Sequence, residues 1–141
     1  MWYNGIMIGL LRSPLHATIS GNVLALTYTG RKSGQRFTVP VNYVSDGRRL
    51  IITSTPARTW WRNLRGGQTV NLRLRGRNVT AEAEVLEGEA VAPALAAYFR
   101  GAPHMAKYFE VGMNDGEPDA ADVARVAPSR VIVILKPHDA L

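Results

Sequence analysis

The chain has 141 residues, with 17 Lys and Arg against 11 Asp and Glu and no cysteine, and this length favours one compact domain. The absence of cysteine excludes disulfides, thiolate nucleophiles and the usual structural zinc sites, so redox chemistry would need an organic cofactor. No apolar run reaches the roughly 20 residues that span a bilayer and no secretory leader pattern is present, which predicts a cytoplasmic protein.

Residues 1–20 carry Ile6, Met7 and Leu10 at helical spacing ahead of a Ser-Pro pair, which predicts a short N-terminal helical segment. Its apolar face is expected to pack onto the rest of the chain or onto a partner subunit. Peripheral contact with a membrane surface is the alternative. Residues 21–141 then form a single domain.

From residue 21 onward the chain alternates short strands with tight turns. Strands are predicted at residues 22–29, 36–44, 49–55, 69–75, 77–86 and 129–136. The first two form a hairpin, as do the fourth and fifth. The last strand is apolar throughout, which is typical of a central strand buried on both faces.

Two further helices are predicted in this domain, at residues 57–65 and 89–100, whereas residues 113–119 are expected to form a loop. Six hairpin-connected strands with short flanking helices favour a small antiparallel barrel. The fold class is therefore mainly β (α+β), with an α+β sandwich or an incomplete, open barrel as alternatives.

Positive charge is concentrated in the first half of the chain. Residues 1–77 hold twelve Lys and Arg and one acid, Asp46, whereas residues 78–141 hold five basic and ten acidic side chains. A basic half predicts a partner with negative charge, such as a phosphorylated small molecule, a nucleic acid or an anionic membrane. Few aromatic residues interleave with these cations and the second half is acidic, so nucleic acid is not expected.

Residues 29–35, T-G-R-K-S-G-Q, form the predicted turn between the first two strands. Its two glycines permit positive φ, so backbone N–H groups can converge on an anion. Arg31, Lys32 and Ser33 add two cations and a hydroxyl. The spacing differs from that of a Walker loop, and no helix follows. The turn is a candidate phosphate site, and a solvated hairpin tip is the alternative.

Trp60 and Trp61 belong to a second candidate segment. Neighbouring residues on a helix point about 100° apart, so one Trp is expected to pack inward while the other faces a groove. A Trp with an open face can stack on a planar ring, although Trp residues also pack in cores and interfaces. Arg58 and Arg62 stand four residues apart on one helix face and could hold an anion jointly.

Four short motifs occur in order between residues 21 and 86. They are the T-G-R-K-S-G turn, the T-x-P of Thr38-Val39-Pro40, the turn Asp46-Gly47, and the W-x-x-N-L that ends at Asn63-Leu64. This set resembles the deazaflavin-dependent nitroreductase family. That family uses coenzyme F420, a deazaflavin, and shares a split β-barrel with pyridoxamine-phosphate-oxidase-like flavin binders. The resemblance therefore implies a split antiparallel β-barrel of about six strands.

The resemblance also implies two parts of a coenzyme site. The phosphate and carboxylates of the coenzyme tail would be held by the basic turn, at Arg31, Lys32, Ser33, Gly34 and Gln35. The ring system would be bordered by the end of the third strand and the Trp segment, at Ser54, Thr55, Trp60 and Trp61, with Arg58 as a further anion contact. The excess of basic residues in the first half agrees with an acidic tail.

The implied activity is hydride transfer from the reduced deazaflavin to a small electrophile, such as a quinone, an activated alkene or a nitroaromatic. The cofactor supplies the reducing equivalent, and the protein contributes docking, orientation and exclusion of water. His104 and Tyr108 are the candidate proton donors, four residues apart in a possible helix. The three histidines are scattered along the chain, so no metal site is expected.

Two alternatives to this activity remain open. FMN could replace the deazaflavin, because the same barrel and an anion-binding turn suit its phosphate. A non-catalytic carrier of a cofactor or of a lipophilic ligand belongs to a different class, and turnover with electron acceptors separates it from an enzyme. A homodimer is expected from the family and because few helices are available to cover the apolar strand faces.

Overall fold

A computed structural model of the protein describes residues 22–139. The predicted N-terminal helical segment, residues 1–20, lies outside these described residues. None of the helices in the described part is long and apolar enough to cross a membrane. Antiparallel sheet dominates residues 22–139, so the mainly β prediction is confirmed.

The described residues contain nine strands in two sheets. They are β1 (Val23–Thr29), β2 (Arg36–Asn42), β3 (Val44–Ser45), β4 (Leu50–Ser54), β5 (Gln68–Leu74), β6 (Arg77–Leu86), β7 (Met113–Asn114), β8 (Glu117–Pro118) and β9 (Val131–Pro137). Seven strands form one antiparallel sheet in the order β2-β1-β5-β6-β9-β4-β3, and β7 pairs with β8. Because β2 also contacts β4, the large sheet is curled into a split half-barrel.

The β1–β2 hairpin places the basic turn at one end of the sheet. Its register runs from Val23 opposite Asn42 to Thr29 opposite Arg36, which confirms the predicted hairpin. The second strand ends at Asn42, although the sequence pattern predicts it to residue 44. The chain changes partners there, since Tyr43 still bonds to the β1 side whereas β3 pairs with β4.

The last strand, β9, lies between β6 and β4 and is buried on both faces, as its apolar sequence predicts. One face joins the interior of the half-barrel through Val131, Val133 and Leu135. The other face carries Ile132 and Ile134 and packs against the helices outside the sheet. This strand therefore joins the two parts of the hydrophobic core.

Two α-helices and four short 3-10 helices occur in the described residues. They are α1 (Val91–Gly101), α2 (Ala120–Val126), and the 3-10 helices Trp60–Leu64, Gly88–Ala90, Pro103–Phe109 and Ala127–Ser129. The prediction over 89–100 corresponds to α1. The prediction over 57–65 corresponds to Trp60–Leu64, hereafter the Trp helix, which is shorter because residues 55–58 form a turn.

Residues 113–119, predicted as a loop, contain the β7–β8 ribbon. Asp115 and Gly116 both have positive φ, at 53° and 79°. Two consecutive positive φ values match the twist of a tight hairpin, and Asp-Gly is a preferred pair there. The ribbon is only two residues per strand, which is too short for an alternating pattern to reveal it.

Candidate functional site

The basic turn of residues 30–35 closes through its own backbone. The Gly30 N–H donates to the Gln35 carbonyl at 2.8 Å, and the Gly34 N–H donates to the Gly30 carbonyl at 2.9 Å. Gly34 has φ 69°, a conformation that glycine adopts without steric cost. The Ser33 hydroxyl accepts from the Gln35 N–H at 3.2 Å. Together these bonds hold the residue 30–35 backbone in one closed loop.

Arg31 attaches this turn to the Trp helix. Its backbone N–H donates to Asn63 Oδ1 at 3.0 Å, and its Nε donates to the Asn63 carbonyl at 2.9 Å. Gln68 supports the same junction by donating to the carbonyls of Thr29 and Asn63, at 3.0 and 3.2 Å. The Nε of Arg31, predicted as a tail contact, is thus engaged in holding the two segments together.

Lys32 and Arg58 carry charge without an acidic partner. Neither makes an ion pair within 4.0 Å among the residues that the structure describes, and both are exposed. Arg36 is also exposed, but it lies on the opposite face of β2 from Phe37, in a groove with Arg73. Unpartnered cations, a hydroxyl and glycine backbone are the donor set that suits phosphate and carboxylate groups.

A cleft of about 360 Å³ opens beside the Trp helix, between β2, β4 and the outer helices. This volume is within the range typical of small-molecule sites, about 300–1,000 Å³. It is lined by Val39, Pro40, Val41, Asn42, Ile52, Thr53, Ser54, Thr55, Arg58, Trp60, Tyr98, Met105, Phe109 and Arg130. Four residues predicted from the sequence therefore meet in one cleft: Ser54, Thr55, Arg58 and Trp60.

The two tryptophans of the Trp helix have different environments. Trp60 is half-buried and lines the cleft. Trp61 is only 1% exposed, and its Nε1 donates to the Thr55 carbonyl at 2.9 Å. Trp61 is therefore part of the core beneath the cleft. Its predicted role in ring binding requires it to line the cleft, and it does not.

An aromatic row runs from the basic turn to the cleft. The Tyr28 ring lies 5.7 Å from the Phe37 ring and 6.4 Å from the Trp60 ring, measured between centroids. Phe37 is 38% exposed, close to the turn, and Trp60 borders the cleft. Burial raises the pKa of the Tyr28 hydroxyl, so this side chain stays neutral. The row places aromatic side chains between the turn and the cleft, with Tyr28 buried and Phe37 exposed.

Arg130, which no sequence pattern indicates, and Tyr98 are further polar residues of the cleft. Arg130 Nε donates to Thr53 Oγ1 at 2.9 Å, and its guanidinium carbon lies 5.1 Å from the Phe109 ring centroid. Burial lowers the pKa of Arg130, an effect that Tyr98 opposes. Burial raises the pKa of Tyr98, and the nearby charge of Arg130 partly offsets this rise. Neither residue belongs to a motif.

The candidate proton donors His104 and Tyr108 do not reach this cleft. Both belong to the 3-10 helix Pro103–Phe109, and Tyr108 is 70% exposed. His104 lines a neighbouring cavity of about 210 Å³, which shares Asn42, Tyr98 and Met105 with the cleft. Met105 and Phe109 of the same helix line the cleft instead. Neither predicted proton donor therefore lines the cleft together with the other candidate residues.

A curled antiparallel half-barrel with an aromatic cleft and a basic turn defines the class of split-barrel flavin and deazaflavin oxidoreductases. The chain matches the model of the F420H(2)-dependent quinone reductase family over residues 12–112. It belongs to that family, and it is accordingly an F420-dependent oxidoreductase. No curated protein matches it in sequence.

Solved structures with the same fold have low sequence identity to the chain. One, described as a domain-swapped dimer, has 17% identity and a TM-score of 0.56, covering 96% of this chain and 97% of its own. An F420-H2-dependent reductase (FDR-A) has 19% identity and a TM-score of 0.52, with coverages of 81% and 94%. A putative pyridoxamine 5'-phosphate oxidase from Listeria innocua has 13% identity and a TM-score of 0.55, with coverages of 97% and 94%. These likenesses support the fold alone.

Proposed function

We propose that the chain uses reduced coenzyme F420 to reduce small electrophilic acceptors, with quinones as the first class and activated alkenes and nitroaromatics as further candidates. The observation that carries this proposal is the pairing of a basic turn and a partly apolar cleft at the same short helix. Asn63 of the Trp helix bonds to the turn, and Trp60 of that helix borders the cleft. One elongated ligand with an acidic tail and a flat ring fits both parts.

The basic turn is the proposed site for the acidic tail. Lys32 contributes an exposed cation, and Ser33, Gly34 and Gln35 contribute the hydroxyl and backbone of the closed loop. Arg31 contributes positive charge while its Nε holds the Trp helix. Charge-assisted hydrogen bonds to phosphate or carboxylate are about twice as strong as neutral ones, so this turn is the natural anchor.

The cleft is the proposed site for the ring. Trp60 offers a half-buried planar surface, Ser54 and Thr55 offer polar groups at the end of β4, and Arg58 offers a cation at the rim. Trp61 supports this wall from the core through its bond to the Thr55 carbonyl. The coenzyme, when bound, supplies the hydride. The protein orients the reactants and excludes water. Orientation lowers the entropic part of the activation free energy.

A homodimer is part of this proposal. Strand β2 is an edge of the large sheet, and its residues Val39, Pro40 and Val41 are half-exposed on the wall of the cleft. A second copy that packs against this edge would cover apolar surface and close the cleft on one side. We expect light scattering to give twice the monomer mass, and a monomer that binds coenzyme fully would contradict this arrangement.

Coenzyme titration of the wild-type protein and of Lys32→Ala tests the tail assignment. Loss of one charge-assisted contact should cost about 1.5–3 kcal/mol of binding free energy. The dissociation constant for F420 should therefore rise about 10- to 100-fold. Arg48→Ala is the matched control, because Arg48 is an exposed cation in a different turn. FMN is titrated in parallel. An unchanged F420 constant in Lys32→Ala would remove the turn from the site.

Turnover distinguishes the enzyme from a carrier. With coenzyme bound, consumption of the reduced form is followed by absorbance against a quinone, an activated alkene and a nitroaromatic. We expect the quinone to be reduced fastest. Tight binding of F420 without reduction of any acceptor would support the carrier, and preferential binding of FMN would support the flavin alternative.

A further inference from the structure

Arg130 stands out among the residues of the cleft because it is a partly buried cation from a distant part of the chain. It precedes β9, and its Nε donates to Thr53 Oγ1 across the β4–β9 pairing. The Phe109 ring packs on its guanidinium at 5.1 Å. The hydrogen bond holds one edge of the guanidinium and the ring covers one of its faces, while the side chain borders the cleft.

No carboxylate balances this charge in the described part of the chain. Arg130 makes no ion pair within 4.0 Å there, and the residues lining the cleft include no Asp or Glu. The undescribed residues 1–21 and 140–141 contain no Asp or Glu either. Taking a cation out of water without a partner is unfavourable, and the lowered pKa of Arg130 reflects that cost. A ligand oxygen with negative charge would offset it.

We propose that Arg130 receives the carbonyl oxygen of the acceptor and stabilises the negative charge that hydride transfer places on it. This inference rests on the proposed reduction of quinones. A quinone gains a hydride, and with it two electrons, from the reduced coenzyme, so one oxygen is left as an oxyanion until a proton from water reaches it. A preorganised donor directed at such an oxygen lowers the barrier, since it binds the developing charge more tightly than the neutral carbonyl.

This placement agrees with the acceptors proposed above. Arg130 offers a planar fork of donors, which suits an oxygen attached to a flat conjugated ring. Quinones and conjugated enones carry their developing charge on such an oxygen. Thr53 is the positioning residue, because its hydroxyl accepts from Nε and leaves the outer nitrogens of the guanidinium for the ligand.

Binding of a charged mimic tests the site without turnover. Lawsone is a hydroxynaphthoquinone that is anionic at neutral pH, and menadione is a neutral naphthoquinone of similar size. Each is titrated by absorbance into the wild-type protein, Arg130→Gln and the charge-matched control Arg48→Gln. We expect Arg130→Gln to weaken the binding of lawsone about 10- to 100-fold and the binding of menadione less than about threefold. Arg48→Gln should change the affinity for neither compound.

Two variants at Thr53 separate position from charge. Thr53→Val removes the hydroxyl that holds Arg130 and should weaken lawsone severalfold, whereas Thr53→Ser keeps the hydroxyl and should restore wild-type binding. Coenzyme affinity is measured separately for every variant. A loss of F420 binding in Arg130→Gln equal to the loss of lawsone would assign Arg130 to the coenzyme ring and overturn the inference.

The outcomes also distinguish this inference from the proposed function. If quinones are reduced at wild-type rate by Arg130→Gln and lawsone binds equally well to it, Arg130 has no such role and the reductase proposal stands. If no acceptor is reduced by the wild-type protein while lawsone binds through Arg130, the proposed function fails and the oxyanion site remains. Equal weakening of lawsone and menadione would show that packing, and not charge, is what Arg130 provides.

Discussion

Asn63 holds the basic turn against the Trp helix, and its replacement by alanine should weaken coenzyme binding although no charge is removed. Its Oδ1 accepts from the Arg31 N–H at 3.0 Å, and its Nδ2 donates to the Trp60 carbonyl at 3.0 Å. A net contribution of about 0.5–1.5 kcal/mol for each bond gives a loss of about 1–3 kcal/mol in the free energy of unfolding. For a chain of this size that corresponds to a fall of roughly 3–10 °C in Tm.

Coenzyme binding should fall as well, because the freed turn must be ordered again when the tail binds. If ordering the turn costs about 1–2 kcal/mol of binding free energy, the dissociation constant rises about five- to thirtyfold. Fluorescence titration gives this constant, and thermal unfolding gives Tm. Asn71→Ala is the control, since Asn71 is an exposed strand residue with no side-chain hydrogen bond among residues 22–139. Unchanged coenzyme affinity in Asn63→Ala would refute a role for the junction in binding.

Three further predictions concern stability and the cleft. Trp61→Ala should cost about 3–5 kcal/mol in urea unfolding because Trp61 is 1% exposed, whereas Trp60→Ala should cost less stability and mainly weaken coenzyme binding in titration. Gly101→Ala should lower the unfolding free energy by about 1–3 kcal/mol, since a Cβ there would lie 2.5 Å from a side-chain carbon of β3. A hydrogen bond from Arg65 lowers the pKa of the Glu87 carboxyl, and stabilisation from a lowered carboxyl pKa is lost as pH falls through it. Glu87→Gln should therefore destabilise the protein at neutral pH and have no effect in strongly acidic urea titrations.

The parts of the fold that local patterns determine could be predicted from the sequence. The β1–β2 and β5–β6 hairpins follow from alternating strands around glycine-containing turns, and their registers match that pattern. The last strand is apolar at successive positions, so a place at the centre of the sheet was the only burial it allowed. In each case the information lies within about twenty residues of chain.

The contacts that build the site are remote in sequence, so no local pattern indicates them. Arg130 bonds to Thr53 over a separation of 77 residues, and Gln68 bonds to Thr29 over 39. From its sequence neighbours alone, Arg130 looks like an ordinary solvent-exposed arginine at the start of a strand. Its significance comes from the cleft that the curled sheet creates around it, and that curvature is a property of the whole fold.

Arg31 and Lys32 are adjacent cations, and the sequence does not indicate which of them contacts a ligand. In the structure their side chains have different interactions. Arg31 Nε donates to the Asn63 carbonyl at 2.9 Å, whereas Lys32 has no ion pair in the described residues. Arg31→Lys keeps the charge but loses that directed bond, so we expect a fall of about 1 kcal/mol in unfolding free energy. Lys32→Ala should change stability by less than about 0.5 kcal/mol and still weaken the coenzyme. Equal stability losses in the two variants, measured by urea unfolding, would contradict this division between support and contact.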